Sequence, residues 1–357
     1  MKTTRRDFLK LSGIFLGAVA LPSWSDALIK PYIQLSQSEK LGRICAGAEG
    51  AWFDLKTEPS ENAPSAGIVW RDEVVIWKRE VIAKELNYNQ YNQKWVETPN
   101  GYIYAPLVQP VKNILNEPLS ALPENSDGKP GLWVEITVPV VDIIPDSTPV
   151  SYWVKEVLRP RIYYSQVFWA YDIRQYEGKV QYKLTEKYGA EPDSYWADAS
   201  ACRPITSDEI APIHPDASNK HILVNLNYQT LSCLEGENEV YFCEVSSGGI
   251  MDGEWMTPIG IHTIWRKMVS THMSAGGLSE FDTPGIAWTT LFDNQGAAIH
   301  AAFWHNFFGT ARSHGCINCR PEDAKWIWRW TNPEVGYFPG ELTVQGGENS
   351  TKVEVYV

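Results

Sequence analysis

Near the C-terminal end of this 357-residue chain, two histidines and a cysteine lie close together: His300, His314 and Cys316. Cys316 sits in Ser313-His314-Gly315-Cys316-Ile317-Asn318, two residues after one histidine and sixteen after the other. A thiol attacks carbonyls as its thiolate, so it needs a base or a positive charge at hand. A histidine on a flanking strand, here within Ile299-His300-Ala301-Ala302-Phe303-Trp304, supplies a base held by a sheet rather than by a mobile loop. Gly315, with no Cβ, lets successive backbone N–H groups approach a substrate oxygen. In outline this is a Cys/His acyl-transfer site.

The same residues carry a resemblance. His300-Ala301-Ala302-Phe303-Trp304 followed by Ser313-His314-Gly315-Cys316-Ile317-Asn318 resembles the active-site motif of the L,D-transpeptidase (YkuD-type) catalytic domain, with twelve residues between His300 and Ser313. The strand series opening near Asn219 resembles the start of that domain, and Thr257-Pro258-Ile259-Gly260 matches its Thr-Pro-x-Gly element. The resemblance implies that Cys316 is the nucleophile and that His300 takes the thiol proton. It implies an oxyanion hole of the backbone N–H groups of His314, Gly315 and Cys316, and a pocket shaped by Ser313 and Asn318. Trp304 and Trp288 are candidate pocket walls, with core packing the alternative. Trp304-His305-Asn306 before Phe308-Gly309 resembles a subgroup in which His305 is a partner of the site or a substrate contact; a solvated loop histidine is the other reading. The implied activity is acyl transfer on peptidoglycan stem peptides without metal or other cofactor. A third, diamino residue would be acylated onto Cys316, D-alanine released, and an amine would take the acyl group. Water as acceptor would make an L,D-carboxypeptidase, and carbapenem-type β-lactams would acylate the same thiol.

Three rival readings use the same residues. Cys316-Ile317-Asn318-Cys319 has Cys-x-x-Cys spacing, but redox pairs of this kind open a helix in a βαβ unit, and the surroundings here are β-rich. Cys319 departs from the family pattern and raises the prospect of a Cys316–Cys319 disulfide. Zinc held by His300, His305, His314, Cys316 and Cys319 lacks the paired spacings of known zinc motifs. A decayed, wall-binding scaffold is the third.

The elements that must position these residues read as mainly β. There are 16 Trp and 17 Tyr, Pro and Gly recur, and long helical periodicity is almost absent. Residues 42–112 hold short strands and an Asn100-Gly101 turn, and resemble an SH3-like β-barrel. Residues 131–204 form a second β module, either a repeat of the first plan or unrelated, in which Ile162 to Tyr171 reads as one aromatic-rich strand. Pro118, Pro123 and Pro130 mark the linker. The expected architecture is thus one or two small SH3-like barrels followed by an L,D-transpeptidase-type domain over 219–357. One short helix, Pro321 to Trp330, follows the site, with Pro at its start and acids in its first turn. Glycan binding by the aromatics of the modules is weighed against plain barrel core, which is the safer reading.

Residues 1–27 read as an export signal. Thr4-Arg5-Arg6-Asp7-Phe8-Leu9-Lys10 is the twin-arginine pattern, followed by an apolar stretch too short to span a bilayer and a small-residue cleavage site at Ala27. An uncleaved anchor is the alternative; with cleavage, no membrane attachment is expected. Removing this segment moves the formal charge from −12 to −14, which argues against nucleic-acid phosphates as partners. Among six cysteines, Cys233 and Cys243 either bridge a hairpin or stay as buried thiols, and Cys45 and Cys202 have no assigned partner.

Overall fold

The computed structural model describes residues 39–149, 151, 154, 159–188, 193–274, 281–345, 347 and 349–357; the expected signal segment lies outside them. The described chain is mainly β, and its strands fall into three groups along the sequence. No helix among the described residues is long and apolar enough to cross a membrane.

The first group packs two antiparallel sheets on one small core of Ile44, Leu55, Val69, Trp77, Val96, Ile103 and Val108. Strand Leu41–Ile44 lies between Val74–Ile76 and Val108–Val111, and all four of its residues are buried, Arg43 included. The hairpin of Lys94–Thr98 with Gly101–Tyr104 turns on Pro99-Asn100, one residue earlier than the Asn-Gly reading. Gly101 instead opens the return strand, where a Cβ would stand 2.7 Å from the Lys56 carbonyl oxygen.

The second group is a six-stranded antiparallel sheet with Val167–Tyr176 near its middle, beside a two-stranded ribbon of Val140–Asp142 and Arg161–Tyr163. Its strand order differs from that of the first group. The run expected as a single strand from Ile162 is broken, because Ser165 adopts φ +71° and the chain turns before Val167. The start of this strand, Val167 to Ala170, reads as apolar because both of its faces are covered there. Phe168 and Ala170 face their own module's core, and Val167 and Trp169 join the core of the third group.

The third group has two five-stranded sheets. In one, Lys352–Tyr356 runs parallel to Lys220–Asn225 and antiparallel to Gly260–Thr263. Its alternation of exposed lysine, glutamate and tyrosine with buried Val353 and Val355 is that of a strand with one covered face. The other sheet has the order Ile317–Cys319, Ala298–Ala301, Asp282–Leu291, Arg266–Ser274, Glu341–Thr343. Helix Pro321–Trp330 begins as expected, with Pro at its first turn beside Glu322 and Asp323, and buries Ala324, Ile327 and Trp328 under this sheet. Two buried lysines satisfy its end: Lys220 Nζ donates to the Trp330 carbonyl at 2.9 Å and Lys267 Nζ to that of Thr331 at 2.6 Å. A further one-turn helix, Ser207–Ile210, is closed by a Thr206/Glu209 capping box.

Candidate active site

Strand Ala298–Ala301 carries His300, and the parallel strand Ile317–Cys319 begins one residue after Cys316. The register sets Ile299 opposite Ile317, His300 opposite Asn318 and Ala301 opposite Cys319. Because side chains alternate along a strand, Ile299, Ala301, Ile317 and Cys319 enter the core. His300 and Asn318 take the other face. Cys316, two residues before Asn318, continues that face next to the Ala298 backbone N–H, which donates toward its sulfur. The thiol and the imidazole thus sit diagonally on one face of two adjacent strands.

His300 is 2% exposed. Its Nδ1 lies 3.0 Å from the Ala301 carbonyl oxygen, an acceptor, so Nδ1 carries the proton and Nε2 keeps its lone pair. Burial, opposed by that hydrogen bond, pushes the imidazole down to about 4. Burial likewise pushes the Cys316 thiol up to about 11, against the Ala298 N–H. At neutral pH the two are therefore a neutral thiol and a neutral imidazole.

The turn before Cys316 is tied from two sides. Ser313 Oγ donates to the Cys316 carbonyl and accepts from the Gly315 N–H at 3.1 Å. The Gly315 N–H expected in the oxyanion hole is thus committed inside the turn, and the residue serves through its φ of +137°. The Gly315 carbonyl accepts from Thr257 Oγ1 at 2.9 Å, and Thr257 Oγ1 accepts from the Gly248 N–H at 2.7 Å. A Cβ on Gly248 would lie 2.9 Å from Gly315 Cα, so only glycine lets the two chains meet. Ser246 exchanges backbone hydrogen bonds with Asn318, both at 2.9 Å. The roles of Thr257 and Gly248 escaped the sequence reading, although the Thr-Pro-x-Gly element had flagged the first.

His305 is not a loop histidine in solvent. It is 7% exposed, and its Nε2 lies 2.9 Å from the Asn318 amide. The Phe307 N–H donates to its Nδ1 at 3.2 Å. Burial, then Arg312 and His300, push this ring down to about 3, so it is neutral with its proton on Nε2. The Asn318 atom at that distance is Nδ2, and turning the amide over places its oxygen, otherwise an unpartnered buried atom, there as the matching acceptor. Ser313, Asn318 and His305 thus each hydrogen-bond protein groups around the turn.

Trp304 does stand beside the site, its ring 5.8 Å from that of His300. Trp288 does not. It is 1% exposed and packs edge-to-face on Trp328 of the helix at 5.5 Å, so it is core. The His314 side chain is exposed and lies on Phe281, 5.6 Å between rings.

All six cysteines are free. Cys319, an odd number of residues from Cys316, faces the core and lies against Cys243, so neither a Cys316–Cys319 bridge nor a joint metal site has the needed geometry. Cys233 pairs with Tyr241 and Cys243 with Leu231, because the hairpin turns between Glu235 and Asn238 rather than about Asn238, so the two thiols are not directly opposed. Among the described residues no group of three or more His, Cys, Asp or Glu is placed to hold a metal ion.

Residues 219–355 match the family model of the L,D-transpeptidase catalytic domain, YkuD. No curated protein matches the chain. Among solved structures it is similar to a mutant Enterococcus faecium L,D-transpeptidase, at 20% identity over 40% of this chain and 52% of that one, TM-score 0.30. It is also similar to an L,D-transpeptidase from Mycobacterium smegmatis, at 14% identity over 63% and 99%, TM-score 0.32. A third, an L,D-transpeptidase in complex with imipenem, gives 14% identity over 68% and 99%, TM-score 0.31. This chain spans about half the length of the Enterococcus protein.

Proposed function

We propose that this protein is an exported cysteine acyltransferase that remodels peptidoglycan by L,D-transpeptidation. The observation that carries the reading is the sharing of one face by Cys316 and His300, within the stretch matched by the L,D-transpeptidase domain. Cys316 Sγ attacks the carbonyl that joins the diamino third residue of a tetrapeptide stem to its terminal D-alanine. The thiol proton passes to Nε2 of His300, which the Ala301 carbonyl leaves free to receive it. The tetrahedral oxyanion is met by the backbone N–H groups of His314 and Cys316, the Gly315 N–H being engaged by Ser313. Collapse breaks the C–N bond, and the proton held by His300 goes to the departing D-alanine amine. An amine from a second stem then attacks the thioester, gives up its proton to His300, and frees the Cys316 thiol.

Export by the twin-arginine route, a periplasmic or wall location, SH3-like modules that contact glycan and acylation by carbapenems belong to the same proposal. Water as the second nucleophile, giving an L,D-carboxypeptidase, is the alternative outcome at the same site.

The test is to incubate a purified disaccharide-tetrapeptide with the protein and with Cys316→Ala, under reducing conditions, and to analyse products by mass spectrometry. Dimers linked through two diamino residues, made by the unaltered protein alone, support transpeptidation. Tripeptide monomer alone would instead assign the carboxypeptidase outcome. No conversion by either protein would overturn acyl transfer from this donor.

A further inference from the structure

We infer that Arg43, in the N-terminal β module, is a positioning residue for His300, acting through the Phe303–Trp304 peptide. The inference rests on the acyl-transfer reading of Cys316 and His300. Arg43 is 1% exposed in a four-residue strand whose other members are Leu, Gly and Ile, so an aliphatic side chain would have served for packing. Burying a guanidinium is costly unless it is paired and hydrogen-bonded, and here each of its three nitrogens meets an acceptor, from two modules in all. Its Nη1 donates to Asp72 Oδ1 at 2.9 Å, and Nη2 and Nε donate to Gln109 Oε1 at 2.8 and 3.2 Å. Nη2 also donates to the Phe303 carbonyl oxygen at 2.5 Å.

The second module closes the arrangement. The Arg43 guanidinium lies 4.3 Å over the Tyr163 ring, and the Tyr163 hydroxyl donates to Asp72 Oδ2 at 3.0 Å. Tyr163 in turn stacks on Phe303, 5.7 Å between rings. The carbonyl gripped by Arg43 belongs to the peptide that leads into Trp304, whose indole lies against the His300 ring. Asn306 adds a second fastening to the same module, its Nδ2 donating to the carbonyls of Ala105 and Val108 at 3.3 and 3.0 Å. The loop after His300 is therefore anchored on the N-terminal module. Arg43 supplies its charged anchor, which a lysine, a single-point donor, cannot reproduce.

The experiment compares the full chain with Arg43→Lys, Tyr163→Phe and Val69→Ala, the last opening the same module's core without touching these contacts. Steady-state kinetics on the tetrapeptide donor are measured together with ¹⁵N-histidine NMR, in which His300→Ala assigns the His300 signals. Arg43→Lys is expected to lower kcat about ten- to a hundredfold with KM little changed, and to replace the single Nδ1–H tautomer of His300 by a tautomer mixture. Tyr163→Phe should move both readouts the same way by less, and Val69→Ala should move neither while folded. Wild-type His300 signals and kcat in a folded Arg43→Lys protein would overturn the inference, as would equal losses in Val69→Ala. The NMR readout does not need a peptide substrate. A tautomer change without turnover in any protein would support Arg43 while the transpeptidase reading failed.

Discussion

Thr257 and Gly315 are joined by a hydrogen bond of 2.9 Å from the threonine hydroxyl to the glycine carbonyl, at a buried side chain far from the turn in sequence. With the Gly248 N–H donating to the same hydroxyl, one oxygen links three segments around the candidate nucleophile. Thr257→Val keeps the shape and removes both bonds, leaving a buried carbonyl and a buried N–H unpaired at about 1–3 kcal/mol each. The expected result is a lower melting temperature and a fall in the acylation rate of Cys316, read by stopped-flow with a carbapenem. Unchanged values for both would remove Thr257 from the account.

Cys316 and His300 are a neutral pair at rest, because burial holds the thiol up at about 11 and the imidazole down at about 4. The rate of Cys316 alkylation by iodoacetamide should therefore climb about tenfold per pH unit through the neutral range, as the thiolate fraction does below its pKa. A rate that is already level from pH 5 to 8 would reveal a preformed thiolate–imidazolium pair and contradict this reading.

His272 is held between carboxylates of two modules. Its Nε2 meets Asp282, its Nδ1 lies 3.5 Å from Glu186, and Glu186 also accepts from the Tyr195 hydroxyl at 3.0 Å. Against the cost of burial, Glu186 and then Asp282 hold the imidazole up to about 8. A folded-state value raised above the unfolded one stabilises fully below about pH 6.5 and is lost as pH rises through about 8. The stabilisation should amount to about 2 kcal/mol. Denaturant titrations at pH 6 and pH 9 should show that difference, and His272→Gln should flatten it. An equal difference in the variant would assign it elsewhere.

The Cys316/His300 pair was legible because it is local: a strand, a loop and a parallel strand within twenty-two residues, with glycine where φ is positive. The helix after it was legible for the same reason, from Pro321 and the acids behind it. What was not legible depends on contacts distant in sequence. Trp288 read equally as pocket wall or core, and its contact with Trp328 of the helix decides for core. His305 takes its role from Asn318, thirteen residues on, in a register that spacing alone does not give. Arg43 reaches a carbonyl 260 residues away, and no local pattern carries such a contact. The strand expected from Ile162 was broken at Ser165, whose weak turn preference stood alone inside an aromatic-rich run.

The most direct test is to quench the protein rapidly after mixing with tetrapeptide donor and to locate the acyl group by peptide mapping. The account predicts a tripeptidyl thioester on Cys316 with one D-alanine released, absent in Cys316→Ala and formed about a hundred- to ten-thousandfold more slowly in His300→Ala. An acyl group on any other residue, or one formed on Cys316 at the same rate without His300, would contradict it.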